Sequence, residues 1–356
     1  MAGAGSGRSV RRRRTAWWVV LPLLAIASLL AACGGEAAPA PAPPETAPAP
    51  VDPAAPGPYA VGVARLTFQR TSTTTGAPRP LETVVWYPAG QGGRWDAALA
   101  GSEEAPVAPG GPFPVVIFSH GSGGNPLQST FFTAHLAGHG FVVAAVPHPG
   151  NTTSDCFPCS DPAALLDSAL NRPDDVSFVL DRLLEESARP GGVLQGAVDG
   201  DRAAVAGHSF GGYTALTVLA RDARFRAGVA MAPPEVGGVR AAAGTVRSPV
   251  LIMGGELDTT TPIQQQRTLF DARPEGATRF LLVFPRGGHS AYANICRPAV
   301  SGCGPDDLPQ EDAHRLVNRY ATAFLKTYVA GEEGYGEVLA QTGEVEGGAA
   351  RLEAAP

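Results

Sequence analysis

Positive charge is scarce in this chain of 356 residues. Lysine and arginine number 27 against 33 aspartates and glutamates, which gives a net charge of −6 at pH 7. The only dense basic run, residues 11–14, lies at the N-terminus. Because binding to phosphate backbones needs clustered positive charge, we expect no nucleic-acid partner. No Lys-Ser or Lys-Thr pair follows a glycine-rich turn, which argues against a phosphate-binding P-loop.

Long apolar runs are also missing. The most apolar stretch, residues 17–30, is shorter than the roughly 20 residues of a membrane-spanning helix, and it follows arginines at 8 and 11–14. Residues 1–33 therefore have the pattern of a targeting segment. Its end, Leu-Ala-Ala-Cys-Gly at 30–34, resembles a bacterial lipobox in which Cys33 would be lipidated and would tether the protein outside the cytoplasm. A plain secretory signal with an incidental cysteine is the alternative.

Composition divides the remainder of the chain into three parts. Residues 34–58 are rich in alanine, proline and glutamate and have almost no large apolar side chain, so we expect a disordered spacer. Residues 59–330 have the composition of a globular domain. From residue 331 to 356 the pattern dissolves into glycine, glutamate and alanine, which predicts a flexible tail.

Strands and helices alternate within residues 59–330. This alternation predicts an α/β fold in which a mostly parallel sheet is flanked by helices. Strands are predicted from short apolar runs and helices from apolar residues at helical spacing. The predicted strands are 61–69, 82–87, 115–118, 141–146, 203–206, 227–231, 249–253 and 279–284, and the predicted helices are 127–139, 174–186, 262–271 and 312–329, with another directly after residue 209.

A serine motif lies between one of these strands and the helix that follows it. Gly-His-Ser-Phe-Gly at 207–211 fits G-x-S-x-G, the nucleophile elbow of the α/β-hydrolase fold. Its glycines are expected because the turn strains the serine backbone and brings strand and helix close together. Ser209 is the predicted nucleophile.

An acid and a base should follow in that order, because this fold arranges its triad as serine, acid, histidine. Asp258 follows an apolar strand and precedes a proline-led helix, with Glu256 as the reserve candidate; a helix N-cap is the alternative role for Asp258. His289 lies on a glycine-rich loop just past the next strand. His314, which also follows the acid, falls in the terminal helix.

An oxyanion hole completes this type of site. Phe-Ser-His-Gly-Ser-Gly-Gly at 118–124 follows an early apolar strand. We assign the two backbone N–H donors to Ser122 and Phe210, and we expect His120 to fix the loop and not to act as a second base.

Five cysteines are present, and four remain if Cys33 is lipidated. Neighbourhood favours pairing Cys156 with Cys159 and Cys296 with Cys303, although four cysteines allow three connectivities.

The first cysteine pair has two alternative uses. A C-x-x-C redox dithiol lacks a thioredoxin-like context here, and a zinc site using Asp155 and His148 would want ligands at both clusters. We expect no metal and no cofactor.

The motifs together resemble a known branch of the α/β-hydrolases. The segments 118–121 and 207–212 resemble those of platelet-activating-factor acetylhydrolases and dienelactone-hydrolase-like proteins. Val-Pro-His-Pro-Gly-Asn-Thr at 146–152 and Arg-Pro-Asp-Asp-Val-Ser-Phe-Val-Leu at 172–180 are similar to bacterial predicted dienelactone hydrolases. This resemblance, over about 60–330, implies a serine esterase that acts on small acyl esters, including those of lipids.

The chain departs from this pattern at two points. Dienelactone hydrolases proper use cysteine where Ser209 stands. In the mammalian acetylhydrolases the acid comes soon after the strand that follows the nucleophile, but here that strand ends in Met-Ala-Pro-Pro-Glu at 231–235. Asp258, one strand later, matches the pattern also seen in bacterial cutinase-like polyester hydrolases.

The sequence therefore favours an exported, membrane-tethered, monomeric carboxylesterase. Its expected substrates are short-chain acyl esters or lipid-derived acetyl esters. A lipase or cutinase-like polyester hydrolase is the alternative among esterases, and a peptidase or acyltransferase is less favoured. A non-catalytic envelope lipoprotein that kept a hydrolase fold is the alternative of a different class.

Overall fold

A twelve-stranded sheet runs through the part of the chain that a computed structural model describes, residues 50–156, 159–296 and 301–356. The targeting segment, Cys33 and residues 34–49 lie outside these described residues. The strands are β1 Ala60–Thr71, β2 Pro78–Ala89, β3 Arg94–Asp96, β4 Gly101–Glu103, β5 Phe113–Ser119, β6 Val142–Val146, β7 Val198–His208, β8 Phe225–Met231, β9 Val250–Gly255, β10 Arg279–Phe284, β11 Gly343–Val345 and β12 Ala350–Ala355.

The centre of the sheet is parallel. The strand order is β11-β12-β10-β9-β8-β7-β5-β6-β2-β1-β4-β3. All pairs from β10 through β9, β8, β7 and β5 to β6 are parallel, whereas β12 joins β10 and β2 joins β6 in antiparallel fashion. The predicted mostly parallel sheet is therefore present, with antiparallel strands at both ends.

Helices cover both faces of this sheet. They are α1 Thr130–Gly138, α2 Pro162–Ala188, α3 Phe210–Arg221, α4 Val239–Ala243, α5 Ile263–Asp271, α6 Gln310–Leu325 and α7 Gly336–Ala340. Successive residues of β5 alternate between two buried clusters: Val116 and Phe118 pack with α1 and α6, and Val115 and Ile117 pack with α2, α3 and α5. Burial of both faces explains why the central strands are apolar at almost every position.

Helix α2 is longer than predicted. The prediction covers only residues 174–186 and omits the first half of the helix. The helix instead begins at Pro162, with Asp161 as N-cap, and contains Pro173 within it. The buried side chains around Pro173 hold the helix together despite the proline.

The C-terminal segment is not a flexible tail, contrary to the prediction. Strand β12 pairs with β10 in register from Arg279 with Ala355 to Val283 with Arg351. Leu352 is fully buried in this pairing. The segment alternates apolar and charged residues over 350–353, which is a strand pattern too short to stand out among glycine and glutamate.

The predicted spacer is also too long at its C-terminal end. Residues 50–58 lie against α1 instead of being disordered: Nε2 of His135 donates to the carbonyl of Pro53 at 2.9 Å, and Nε2 of His139 donates to that of Ala55 at 2.8 Å. A Cβ at Gly57 would come within 2.1 Å of the Gly138 carbonyl oxygen. Hydrogen bonds from the histidine side chains to backbone carbonyls and this close approach hold the segment without any large apolar side chain of its own.

Candidate active site

The turn between β7 and α3 has the strained backbone predicted for a nucleophile elbow. Ser209 has φ 55° and ψ −120°, a conformation that a non-glycine residue adopts only when the surrounding structure enforces it. A Cβ at Gly207 would lie 2.2 Å from the Gly211 carbonyl oxygen, and one at Gly211 would lie 1.8 Å from that of Ser119. Both glycines are therefore required by close backbone approach.

Asp258 and His289 form a buried pair. Oδ2 of Asp258 accepts from Nδ1 of His289 at 2.7 Å and from the Thr261 hydroxyl at 2.8 Å. Oδ1 accepts the N–H groups of Thr260 and Thr261, both at 2.8 Å. These contacts orient the carboxylate and place the ring proton on Nδ1, which leaves Nε2 of His289 free to accept a proton.

The alternative acid and base lie elsewhere. Glu256 is exposed, and its Oε1 is 3.5 Å from a guanidinium nitrogen of Arg351. His314 donates from Nε2 to the Ala293 carbonyl and stacks on Phe131 with the ring centroids 3.5 Å apart. Asp258 does not cap α5 either, because the N-cap of that helix is Pro262.

Ser209 and His289 border the same cavity of about 350 Å³. In the described part of the chain no hydrogen bond joins Ser209 Oγ to the His289 ring; such bonds are often long without substrate and shorten in the reacting complex. The cavity wall combines amides with apolar side chains. It is lined by Ala98, Gly121, Ser122, Gly124, Asn125, Leu127, Gln128, His208, Ser209, His289, Ser290, Ala293, Asn294 and Ile295.

The glycine-rich turn after β5 leaves one donor available to the cavity. Its other N–H groups are occupied: that of Gly121 by Gln128 Oε1 at 3.0 Å, that of Gly123 by the Asn151 carbonyl at 3.2 Å, and that of Gly124 by the Gly121 carbonyl at 3.1 Å. The Ser122 N–H has no acceptor among the described residues.

The second predicted donor lies at the start of α3, directly after Ser209. Phe210 is the first residue of α3, and its N–H likewise has no acceptor within the described ranges. The positive end of the helix dipole is located there. Both predicted N–H groups are thus free in the described structure.

These observations allow the comparison with known proteins. A model of the family described as PETase, PET hydrolase-like, matches residues 100–350. The chain belongs to the PET hydrolase-like family. Among similar proteins, Cutinase 2 of Thermobifida cellulosilytica is 25% identical over 63% of this chain and 71% of the cutinase.

Platelet-activating factor acetylhydrolases also match. The protein of Canis lupus familiaris is 29% identical over 36% of each chain, and that of Cavia porcellus is 31% identical over 36% of this chain and 37% of its own. The chain thus spans little more than a third of the length of these acetylhydrolases. Membership of the PET hydrolase-like family agrees with the predicted α/β-hydrolase fold.

Two polar residues of this PET hydrolase-like site were not predicted. His208, inside the elbow motif, accepts from Gln128 Nε2 at 2.8 Å through Nδ1, and its ring centroid is 4.6 Å from that of His289. Burial, and then the proximity of His289, holds the pKa of His208 well below its ordinary value. A neutral imidazole therefore lies beside the proposed base, and no additional positive charge opposes proton uptake by His289.

A buried polar network behind the glycine-rich turn was also missed. His120 makes the contacts expected of a loop-fixing residue: its Nδ1 donates to the Gly121 carbonyl at 2.7 Å and its Nε2 accepts the His148 N–H at 3.3 Å. Burial lowers the pKa values of both histidines well below normal, so both rings are neutral. Arg172 and Asp175, from the motif at 172–180, lie in the same network.

Both disulfides favoured by neighbourhood are present, between Cys156 and Cys159 and between Cys296 and Cys303. The second closes a loop that contacts His289. Within it, Ser301 Oγ accepts the His289 N–H at 3.2 Å and the Ser301 carbonyl accepts the Ser290 N–H at 2.9 Å. Among the described residues no group of three or more His, Cys, Asp or Glu side chains could hold a metal ion, and no helix is long and apolar enough to cross a membrane.

Proposed function

We propose that the protein is a serine carboxylic-ester hydrolase that acts through an acyl-enzyme on Ser209. The observation that carries the proposal is the elbow serine at positive φ beside a cavity that it shares with His289, whose ring is held by Asp258 at 2.7 Å. Family membership and the esterase names of the relatives support it.

The residues divide the reaction between them. Nε2 of His289 takes the Ser209 hydroxyl proton as Oγ attacks the ester carbonyl, and the proton then passes to the leaving alcohol. Asp258 fixes the ring and stabilises its charged form. The N–H groups of Ser122 and Phe210 receive the negative charge on the carbonyl oxygen. Water, activated by the same histidine, then releases the acyl group and restores Ser209.

Short acyl groups fit the cavity best. A volume of about 350 Å³ lies at the lower end of small-molecule sites, and Leu127, Ala293 and Ile295 supply its apolar wall. A series of p-nitrophenyl esters from acetate to laurate tests this, with Ser209→Ala as the inactive control. We expect the highest kcat/KM at four carbons or fewer. No turnover of any ester, with no labelling by a fluorophosphonate, would instead support a non-catalytic envelope protein.

Polyester hydrolysis is the second candidate. It is favoured by the cutinase match over 63% of the chain and by Ile295, a cavity residue whose side chain is 70% exposed and available to an insoluble surface. Release of soluble acids from an aliphatic polyester film, measured beside p-nitrophenyl butyrate, separates the candidates. Film hydrolysis that is lost in Ile295→Asp while butyrate turnover persists would support the polyester activity.

We further propose that the protein acts outside the cytoplasm on a lipid anchor at Cys33. The lipobox-like segment 30–34 and the two disulfides support export. Cys33→Ser should move the protein from the detergent phase to the aqueous phase in detergent partitioning. Recovery of the unchanged protein in the aqueous phase would favour the plain secretory signal.

A further inference from the structure

Arg172 of α2 is fully buried directly behind the glycine-rich turn. Its Nη1 donates to the His120 carbonyl at 2.6 Å, and its Nη2 donates to Asn151 Oδ1 at 2.6 Å and to the Gly121 carbonyl at 3.4 Å. Nε donates to Ser168 Oγ at 2.9 Å within the same helix. The guanidinium fork is thus aimed at the backbone of the turn that carries a proposed oxyanion donor.

The carbonyl of Gly121 and the N–H of Ser122 belong to one peptide unit. A trans peptide is planar and its C=O and N–H point in opposite directions, so fixing the carbonyl fixes the direction of the N–H. Donors from Arg172, from His120 at 2.7 Å and from the Gly124 backbone at 3.1 Å all bind the Gly121 carbonyl oxygen. The direction of the Ser122 N–H is therefore set from behind the cavity.

Arg172 also contacts the other half of the hole. Its Cζ lies 4.5 Å from the centroid of the Phe210 ring, a cation–π contact with the residue that supplies the second N–H. Asn151 links Arg172 to Ser122, because it accepts from Arg172 through Oδ1 and donates to Ser122 Oγ at 3.1 Å through Nδ2.

No carboxylate among the described residues forms a salt bridge with Arg172, although the negative charge of Asp175 partly offsets the effect of burial on the pKa of Arg172. Asp175, one turn further along α2, binds Arg70 at 2.6 Å, Arg79 at 2.8 Å and His148 Nδ1 at 2.9 Å instead. Burial lowers the pKa of Arg172 to about 9, which still leaves it cationic at neutral pH. Buried charges are normally paired with an opposite charge. Arg172 instead contacts carbonyl, hydroxyl and amide oxygens, so its burial has an electrostatic cost. A function for the charge would explain why this cost is tolerated.

We propose that Arg172 is the positioning residue of the oxyanion hole. It holds the 121–122 peptide and the start of α3 so that the N–H groups of Ser122 and Phe210 converge on one oxygen, and its unpaired charge favours the anion that forms there. This inference rests on the proposed ester hydrolysis.

The test compares Arg172→Met and Arg172→Lys with Arg273→Met in the full protein. Arg273 is a matched control, because it is also buried and donates to the carbonyls of Ser248 and Thr278 but does not line the cavity. All three variants are expected to lose thermal stability. Removal of an oxyanion donor costs about 10²–10³-fold in kcat, and we expect Arg172→Met to lose about 10²-fold because it misdirects the donor without removing it.

Comparison of the losses in inhibitor affinity, kcat/KM and KM distinguishes a positioning role of Arg172 from a role in folding alone. In Arg172→Met the affinity for a trifluoromethyl ketone, which forms a tetrahedral oxyanion with the serine, should fall by the same factor as kcat/KM, while KM for p-nitrophenyl butyrate changes less than about threefold. Arg172→Lys keeps the charge without the fork and should fall between wild type and Arg172→Met. If Arg172→Met does not fold, the test uses the other two variants. The proposal then predicts a reduced kcat in Arg172→Lys and an unchanged kcat in Arg273→Met.

The positioning role would be overturned if the Arg172 variants kept the wild-type kcat per folded molecule and, like Arg273→Met, showed only lowered melting temperatures. Failure of the ester-hydrolase proposal has a different signature, because the wild-type protein itself would then neither turn over esters nor react with a fluorophosphonate.

Discussion

The two sides of the cavity are held in different ways. On the base side, Asp258 and His289 come from loops after β9 and β10, contact each other directly at 2.7 Å, and are steadied by Ser301 inside the Cys296–Cys303 loop. On the oxyanion side, the turn after β5 is held from behind by the fully buried Arg172. Conservative substitution within the Asp258–His289 pair should therefore change the chemistry with little effect on stability, whereas substitution of Arg172 should affect both.

Removal of the Ser209 hydroxyl, which lies between the two sides, should cause the largest loss of kcat/KM. Ser209→Ala takes away the nucleophile and should lower kcat/KM by more than about 10⁴-fold, because the remaining groups still bind substrate but have no acyl acceptor. Ser122→Ala is the matched control: it removes a hydroxyl but keeps the backbone N–H, so we expect less than about tenfold loss. Steady-state hydrolysis of p-nitrophenyl butyrate measures both. A larger loss in Ser122→Ala than in Ser209→Ala would contradict these roles.

Removal of the Asp258 carboxylate should cause the second-largest loss of activity. Asp258→Asn keeps the shape but cannot hold His289 in the tautomer that leaves Nε2 free, and it should cost about 10³–10⁴-fold in kcat. Glu256→Gln, at the exposed reserve position, should leave kcat within twofold. Circular dichroism should show both variants folded with similar melting temperatures. Equal losses in the two variants would contradict the assignment of the acid.

The base-side disulfide should have a smaller effect. A serine pair at Cys296 and Cys303 opens a loop with a sequence separation of 7, which should lower the free energy of unfolding by about 2 kcal/mol. It should also reduce kcat several-fold, since Ser301 would no longer be held against the His289 backbone. Urea unfolding and kcat are the two measurements. If kcat is unchanged while stability falls, the loop stabilises the fold without steadying the base.

The smallest expected change concerns acid stability on the oxyanion side. Burial and the positive charge of Arg172 hold the pKa of His148 well below 6.5 in the folded protein. Below pH 6.5 the unfolded chain takes up a proton that the folded protein does not, so stability is present above that pH and is lost as the pH falls. His148→Gln should flatten this loss by about 1.4 kcal/mol per pH unit between pH 6 and 5. Urea unfolding at several pH values measures it; an unchanged slope would mean that His148 titrates normally when folded.

The same contrast explains what could be predicted from the sequence. The order of Ser209, Asp258 and His289 is readable because each follows an apolar strand, and the carboxyl ends of neighbouring parallel strands meet at one edge of a sheet. The role of Arg172 could not be predicted in this way, because its partners in the turn after β5 and at Asn151 lie 21 to 52 residues away in sequence and meet it only through packing of α2.

Fold elements were missed where local signals conflicted with tertiary packing. The first half of α2 was not predicted; a proline inside a helix is locally unfavourable, and the buried surface around Pro173 outweighs that cost. Strand β12 is short and flanked by glycine, and it is ordered by pairing with β10, a partner about 70 residues earlier in the chain. Local propensity carries no information about such a distant partner.

Peptide mapping after labelling with a fluorophosphonate is the most direct test that Ser209 is the nucleophile. Such a probe reacts with a serine that is activated by a base and faces an oxyanion hole, and Ser122 and Ser290 line the same cavity as unactivated internal controls. We expect one adduct, on Ser209, with esterase activity lost in parallel as labelling proceeds. Esterase activity that persists while Ser209 stays unmodified, or an adduct on another cavity serine, would contradict it.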